Sequence, residues 1–294
     1  MRITQGMLSS NMLNNLSNSY SKMGNYLEQL STGKKINRPS DDPVIAMKGM
    51  NYRSQVIEVE QFQRNTTEVH TWMDSSDAAL DKATKALQKM RELAVQASNG
   101  TYDPKQRESI MKEVEQLKEH MIDIANTNVN GKFIFNGTKT DTKPIKVDEE
   151  TGNLSYVQDG SPVMIEVSSG TKLQANVAGS EVFSEDLFTK VNDFIDALDR
   201  SDQTDIENSI GTLDGSIDKI INARADLGAR MNRLELIEDR LSSQQISAKS
   251  MMSKNEDIDY EKVITKLIAQ ESVHRAALSA GSRIIQPTLL DFLR

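Results

Sequence analysis

"IENSIGTLDGSIDKIINARADLGARMNRLELIEDRLSSQQISA", residues 206–248, holds the most regular signal in the chain. Every seventh position, 206, 213, 220, 227, 234, 241 and 248, is Ile, Leu, Ile, Leu, Leu, Leu and Ala, without a break. A second column places Ile210, Ile217, Met231 and Met252 at the same step, but Arg224, Glu238 and Gln245 interrupt it. A seven-residue apolar repeat keeps one seam of a helix against a neighbour over many turns. With one column apolar throughout, the stretch predicts a long helix lying side by side with others rather than an isolated two-stranded zipper.

Downstream, "EDIDYEKVITKLIAQESVHRAALSAGSRIIQPTLLDFLR" offers Asp257 or Asp259 as a helix cap. Its apolar stripe is Tyr260, Ile264, Leu267, Ile268, Leu278 and Ile285, then Leu289, Leu290, Phe292 and Leu293. Upstream, residues 139 to about 182 change character, with short Val, Ile and Leu stretches broken by "TGN", "QDGSP" and "SSG", the mark of small strands joined by turns. Residues 141–200 contain twelve acidic against five basic side chains, −7 of the total −8, so this segment is expected to face water.

Before it, Ile110, Val114, Leu117, Met121 and Ile124 step by four and three, ahead of "NVNGKFIFNG", where two Asn-Gly pairs flank an apolar strand. In "SNGTYDPKQR", Gly100 suits a left-handed helix end and Asp103 an N-cap with Pro104 at the first helical position, so a helix hairpin is expected. From Val44 to about Ser98, Phe62, Val69, Trp72, Met73, Leu80, Ala83, Leu87, Met90, Ala94 and Ala97 trace another helix. Residues 1–33 put Ile3, Met7 or Leu8, Met12, Leu16, Tyr20, Met23, Leu27 and Leu30 on one stripe. The remainder of that segment is crowded with Asn and Ser, which compete for backbone hydrogen bonds, so this helix needs a partner to persist.

The predicted fold is therefore mainly α: a long antiparallel helical bundle or coiled coil made from both chain ends, with a small inserted β-rich domain in the middle. Residues 1–40 form an N-terminal amphipathic assembly helix, 41–138 the N-terminal part of a helical rod, and 139–200 an inserted acidic, β-rich outer domain. Residues 201–256 return as the long C-terminal helix of the rod, and 257–294 form a second amphipathic assembly helix. The apolar faces at both ends must be buried somewhere, against each other or neighbouring subunits.

Composition narrows the function. A length of 294 residues can hold a real core, yet only 5% is aromatic, which suits long thin helical packing better than a compact enzyme. A net charge of −8 argues against nucleic acid and anionic membranes. With no cysteine there are no disulfides, thiolate metal sites or cysteine nucleophiles. No cleavable secretory signal precedes the first helix, and no apolar run is long enough to span a bilayer, so no membrane insertion is expected.

The stretch "STGKKINRPSDDPV", residues 31–44, has the residue types of a ligand loop. A phosphate-binding loop would need glycine five positions before Gly33 and Ser or Thr after Lys34, where Glu28 and Lys35 stand instead. A joint explains each residue: Gly33 ends the first helix, and Asp42 caps the next, with Pro43 in its first turn. Lys34, Lys35 and Arg38 then lie within reach of Asp41 and Asp42 for ion pairing, locally or across a subunit contact. His70, His120 and His274 are far apart and lack the spacing of a helical zinc site, and no Gly-x-Ser-x-Gly elbow appears. No cofactor, metal or catalytic constellation is expected. "NTT" at Asn65 and "NGT" at Asn99 and Asn136 match a glycan acceptor pattern that is common by chance.

"QLSTGKKINRPSDDPVIA" resembles the N-terminal segment of the flagellin family, and more closely its members at the hook–filament junction, which have Asp-Asp-Pro where flagellins usually have Asp-Asp-Ala. "RADLGARMNRLE" (224–235) resembles the family's C-terminal signature, and the segment from Asp257 to the end resembles the terminus shared by junction proteins. The likeness covers roughly residues 1–137 and 205–294. It implies a non-enzymatic structural subunit of the bacterial flagellum, assembled as a ring of identical copies, with a second hook-associated junction protein on one side and flagellin or the filament cap on the other. It further implies passage, unfolded, through the flagellar export apparatus with a dedicated export chaperone, and a final place outside the cell. Alternatives are flagellin itself, as the filament subunit, or a stalked surface-binding or adhesin module. The expected subunit-interface residues are Ile3, Met7, Leu16, Tyr20, Met23, Leu27, Leu30, Ile264, Leu267, Leu278, Ile285, Leu289, Leu290, Phe292 and Leu293; the joint residues are Gly33, Arg38, Asp41, Asp42 and Pro43.

Overall fold

The structure, a computed structural model, describes residues 5–99, 103–148 and 154–285. Its long helices are α1 (Gln5–Thr32), α2 (Pro43–Ala97), α3 (Pro104–Ala125), α5 (Glu185–Arg200), α6 (Gln203–Glu256) and α7 (Tyr260–Ile285), with a single turn α4 (Gly179–Val182). Among the described residues, six short strands lie between α3 and α4: β1 (Asn128–Val129), β2 (Lys132–Phe133), β3 (Ile145–Val147), β4 (Leu154–Tyr156), β5 (Met164–Ser168) and β6 (Thr171–Gln174). They pair as three separate antiparallel ribbons, β1 with β2, β3 with β4 and β5 with β6. The chain divides into two compact units, one of residues Met1–Glu58 with Gln244–Arg294 and one of Val59–Ser243.

In the second unit the seven-step column of α6 is the spine of the core. Ile206, Leu213, Ile220, Leu227, Leu234 and Leu241 are all fully buried, among Val69, Met73, Leu80, Leu87 and Met90 of α2. Ion pairs fix the two helices antiparallel: Arg91 meets Asp214 at 2.5 Å, and Arg224 meets Asp77 and Asp81 at 2.9 and 3.0 Å; in the same sense His70 Nδ1 lies 3.9 Å from Glu238 Oε1. Arg224, an interruption in the second apolar column, thus spans two carboxylates one helical turn apart, and Asp77 first, then Asp81, raise its guanidinium pKa.

Asp103 caps α3 with Pro104 at its first position, its N–H donating to Gln106 Oε1 at 3.1 Å, while Gly100 lies outside the described residues. The first Asn-Gly pair turns the β1–β2 hairpin with φ of 52° and 82° at Asn130 and Gly131, the mirror-image turn that matches strand twist. Asn136, of the second pair, is buried and spends its amide on Lys139 O, at 3.0 Å, and Thr142 O, at 2.9 Å.

Two expectations for residues 139–200 change. The segment ends in a 16-residue helix, α5, started by Ser184, whose Oγ accepts from the Leu187 N–H, with Glu185 and Asp186 in the first turn. Nor does it build a separate core: Val167, Leu173, Phe183, Phe188 and Phe194 join one cluster with Leu80, Met90 and Leu213. Phe135 and Phe183 meet edge-on at 5.0 Å within it. The acidic side chains thus cover a segment whose inner face is apolar, because small ribbons cannot bury enough surface alone.

Candidate assembly surface and its joint

In the first unit α1 lies antiparallel to α7. A substituent on Gly281 would run into the Met12 side chain, Gln270 Nε2 donates to Ser19 Oγ at 2.8 Å, and the Tyr20 and His274 rings lie 6.2 Å apart. This pairing uses one face of each helix. Leu16, Met23 and Leu30 of α1 and Leu267 of α7 are half-buried. Met7, Tyr20, Leu27, Ile264 and Leu278 remain exposed, by fractions from 45% at Ile264 to 66% at Tyr20. Leu8, Leu13, Ile268 and Val273 add to this uncovered apolar surface. The expected stripe is thus split between an intrachain half and an outward half. Ile285 is the last residue of α7, and Ile3, Leu289, Leu290, Phe292 and Leu293 lie outside the described residues.

At the joint, Gly33 has φ +70° and donates its N–H to Gln29 O at 2.8 Å, which ends α1. Asp41 Oδ2 accepts from the Arg38 N–H at 2.9 Å and the Asn37 N–H at 3.1 Å, and these bonds hold its carboxyl below the usual range. Asp42 Oδ1 accepts from the Val44 and Ile45 N–H groups at 2.9 and 3.1 Å, with α2 beginning at Pro43. Asn25, Gln29, Lys35, Arg38 and Asp41 are among the lining of an open polar cleft here, about 650 Å³.

Lys34 and Lys35 do not turn to Asp41 and Asp42. Lys34 Nζ meets Asp257 Oδ1 at 2.6 Å, and Lys35 Nζ donates to Lys254 O at 2.5 Å. The Lys34 ammonium is raised chiefly by its bond to Asp257, and the Asp257 carboxyl is lowered chiefly by Lys34, then by Ser253. The backbones join as well: the Lys35 N–H donates to Glu256 O at 2.7 Å and the Ile258 N–H to Gly33 O at 3.0 Å, an antiparallel bridge between the α1–α2 and α6–α7 connections. Beside it, Arg53 Nη2 meets Glu256 Oε2 at 2.8 Å, and Asn255 Nδ2 donates to Ile45 O at 3.0 Å. Sequence reading missed Lys34, Arg53, Asn255, Glu256 and Asp257 as one cluster, since the partners lie more than 200 positions apart.

The first unit is thus helical, built from both chain ends, and leaves apolar surface uncovered on its terminal helices. Residues 3–140 match the family model of the bacterial flagellin N-terminal helical region, and residues 210–293 that of the bacterial flagellin C-terminal helical region. The chain belongs to the flagellin family. The flagellar hook-associated protein 3 of Escherichia coli K12 is 27% identical over 305 residues, covering 95% of this chain and 96% of that one. The flagellin of Bacillus subtilis 168 is 29% identical over 311 residues, covering 100% of each. The solved structure of a putative flagellar hook-associated protein from Vibrio parahaemolyticus has a TM-score of 0.68 at 20% identity, covering 74% of this chain and 100% of that one, a likeness of fold.

Proposed function

We propose that the chain is a structural, non-enzymatic subunit that joins the hook of a bacterial flagellum to its filament, exported unfolded and completing its fold on assembly. The observation that carries this reading is the match to flagellar hook-associated protein 3 over nearly the whole of both chains. The Asp41-Asp42-Pro43 joint supports it from the sequence side. Its partners are further copies of itself in a ring, a second junction protein, flagellin or the cap beyond, and the export chaperone and apparatus beforehand.

The energetics suit such a part. α1 has no acidic residue in its first turn and no basic one in its last, and its Asn and Ser residues lower helix propensity, so burial must supply what the helix lacks. Each Leu, Ile or Met covered by a neighbour contributes roughly 1.5–3 kcal/mol before ordering costs. Met7, Leu8, Leu13, Leu27, Ile264, Ile268 and Leu278 of α1 and α7 are among the side chains with that contribution still to make.

The flagellin of Bacillus subtilis, similar over its full length, supports a filament subunit as the second reading. Deleting the gene and viewing the cells by electron microscopy separates them. Hooks without filaments, with flagellin shed into the medium, support the junction, whereas normal filaments would refute it. Long filaments grown by the purified protein from filament seeds would establish the second reading instead.

A further inference from the structure

Among the described residues of the first unit, the deepest charged group is one outside the exposed apolar faces of α1 and α7. The Glu256 side chain is only 5% exposed, and its Oε2 meets Arg53 Nη2 at 2.8 Å and Lys34 Nζ at 3.5 Å. Oε1 is buried and meets no hydrogen-bond donor among the described residues. Its neighbour is Gly49, where an added Cβ would stand 2.5 Å from Oε1 and 3.3 Å from Cδ. Position 49, with no side chain, leaves the room that the carboxylate occupies, and a Cβ there would push it aside. One residue thus touches three parts of the chain: its backbone oxygen holds Lys35, and its side chain holds the root of α1 through Lys34 and the second turn and beyond of α2 through Gly49 and Arg53.

We propose that Glu256 is the latch of a pre-formed joint, which fixes the roots of α1 and α7 side by side in the free chain, so that the α1–α7 pair is built outward from the joint. The inference rests on the assembly reading only for its use; the latch itself is a property of the free chain. A helix pair started from two tethered ends avoids the costly first encounter, because each root already sees the other at high effective concentration. Gly33, at the base of α1, is held close to the base of α7 in the same way: a Cβ there would lie 2.9 Å from the Tyr260 hydroxyl. Position 33 also has a positive φ, which a residue with a side chain adopts only with strain.

Residue-resolved amide exchange on the full free chain tests this at the Lys35 and Ile258 N–H groups, which close the bridge. Wild-type protein is expected to protect both more than the amides of α1 and α7. Glu256→Gln, which removes the charge, and Gly49→Ala, which displaces the carboxylate, should each speed exchange at these two amides by roughly 10- to 100-fold. Asp257→Asn, at a more exposed pair, should have a smaller effect. Unchanged protection around Leu80 and Leu213 in every variant shows that the second unit still folds. Absence of protection at the two amides in the wild type, or equal protection in wild type, Glu256→Gln and Gly49→Ala, overturns the latch. Either result would leave the junction reading standing, since that is decided by the deletion phenotype.

Discussion

Tyr156 sits on β4 with its ring 6.1 Å from Phe188, and burial, helped by Glu185, pushes its phenol up to about 12. The folded protein therefore resists forming the phenolate, while the unfolded chain forms it near the ordinary value of about 10. The sign follows: stability from this residue is complete below about pH 10 and is lost as pH rises through about 12. Urea unfolding at about pH 9 and about pH 11 should show a fall in midpoint that Tyr156→Phe reduces, since Phe keeps the ring and lacks the proton. Equal falls in both proteins would place the alkaline sensitivity elsewhere. Arg224 teaches a related lesson at the same scale. In sequence it looks like a fault in an apolar column, yet it answers Asp77 and Asp81 from the opposite helix. Only the partner's position gives the charge its meaning.

Among elements, α6 shows the most direct path from pattern to packing. Its unbroken seven-step column is buried from Ile206 to Leu241, and Leu227 is fully enclosed while Leu236 is 71% exposed. Leu227→Ala is therefore expected to cost about 2–5 kcal/mol, by transfer and cavity together, and Leu236→Ala to stay within about 0.5 kcal/mol. Denaturant midpoints at constant slope would check both, and similar losses at the two sites would mean the column is not the spine of the core. The helices α2, α3 and α6 were legible because a period repeated over many turns leaves little choice of face. α5 was not read, although Ser184, the acidic first turn and the Leu187, Phe188, Val191, Phe194 and Leu198 spacing were all present. The acidity of residues 141–200 outweighed that spacing, but a helix can hold carboxylates on one face and Phe on the other. Short ribbons such as β3–β4 have too few residues for alternation to declare itself. The cluster at Glu256 had no local signal, because a single carboxylate beside a distant glycine has no period.

At the scale of the molecule, the two units differ in how the chain builds them. Residues Val59–Ser243 form one continuous stretch with its own extended core, whereas the other unit joins Met1–Glu58 to Gln244–Arg294. A unit of the first kind is expected to fold without either chain end. A unit of the second kind must bring together segments far apart in sequence, and much of the apolar surface on its terminal helices stays uncovered. Removing residues 1–33 or 260–294 is therefore expected to leave a soluble, helical protein whose Val59–Ser243 unit melts as it does in the whole chain. The helical signal should fall by at least the removed element, 28 residues for α1 or 26 for α7, and by more where the remaining partner unravels. In cells lacking the gene, neither truncated form should restore filaments on hooks, while the full chain should. Circular dichroism and thermal unfolding test the first half, and microscopy of complemented cells the second. If the truncated chains lost the cooperative melt of Val59–Ser243, that unit would depend on the ends after all; if they restored filaments, the exposed faces of α1 and α7 would have no part in assembly.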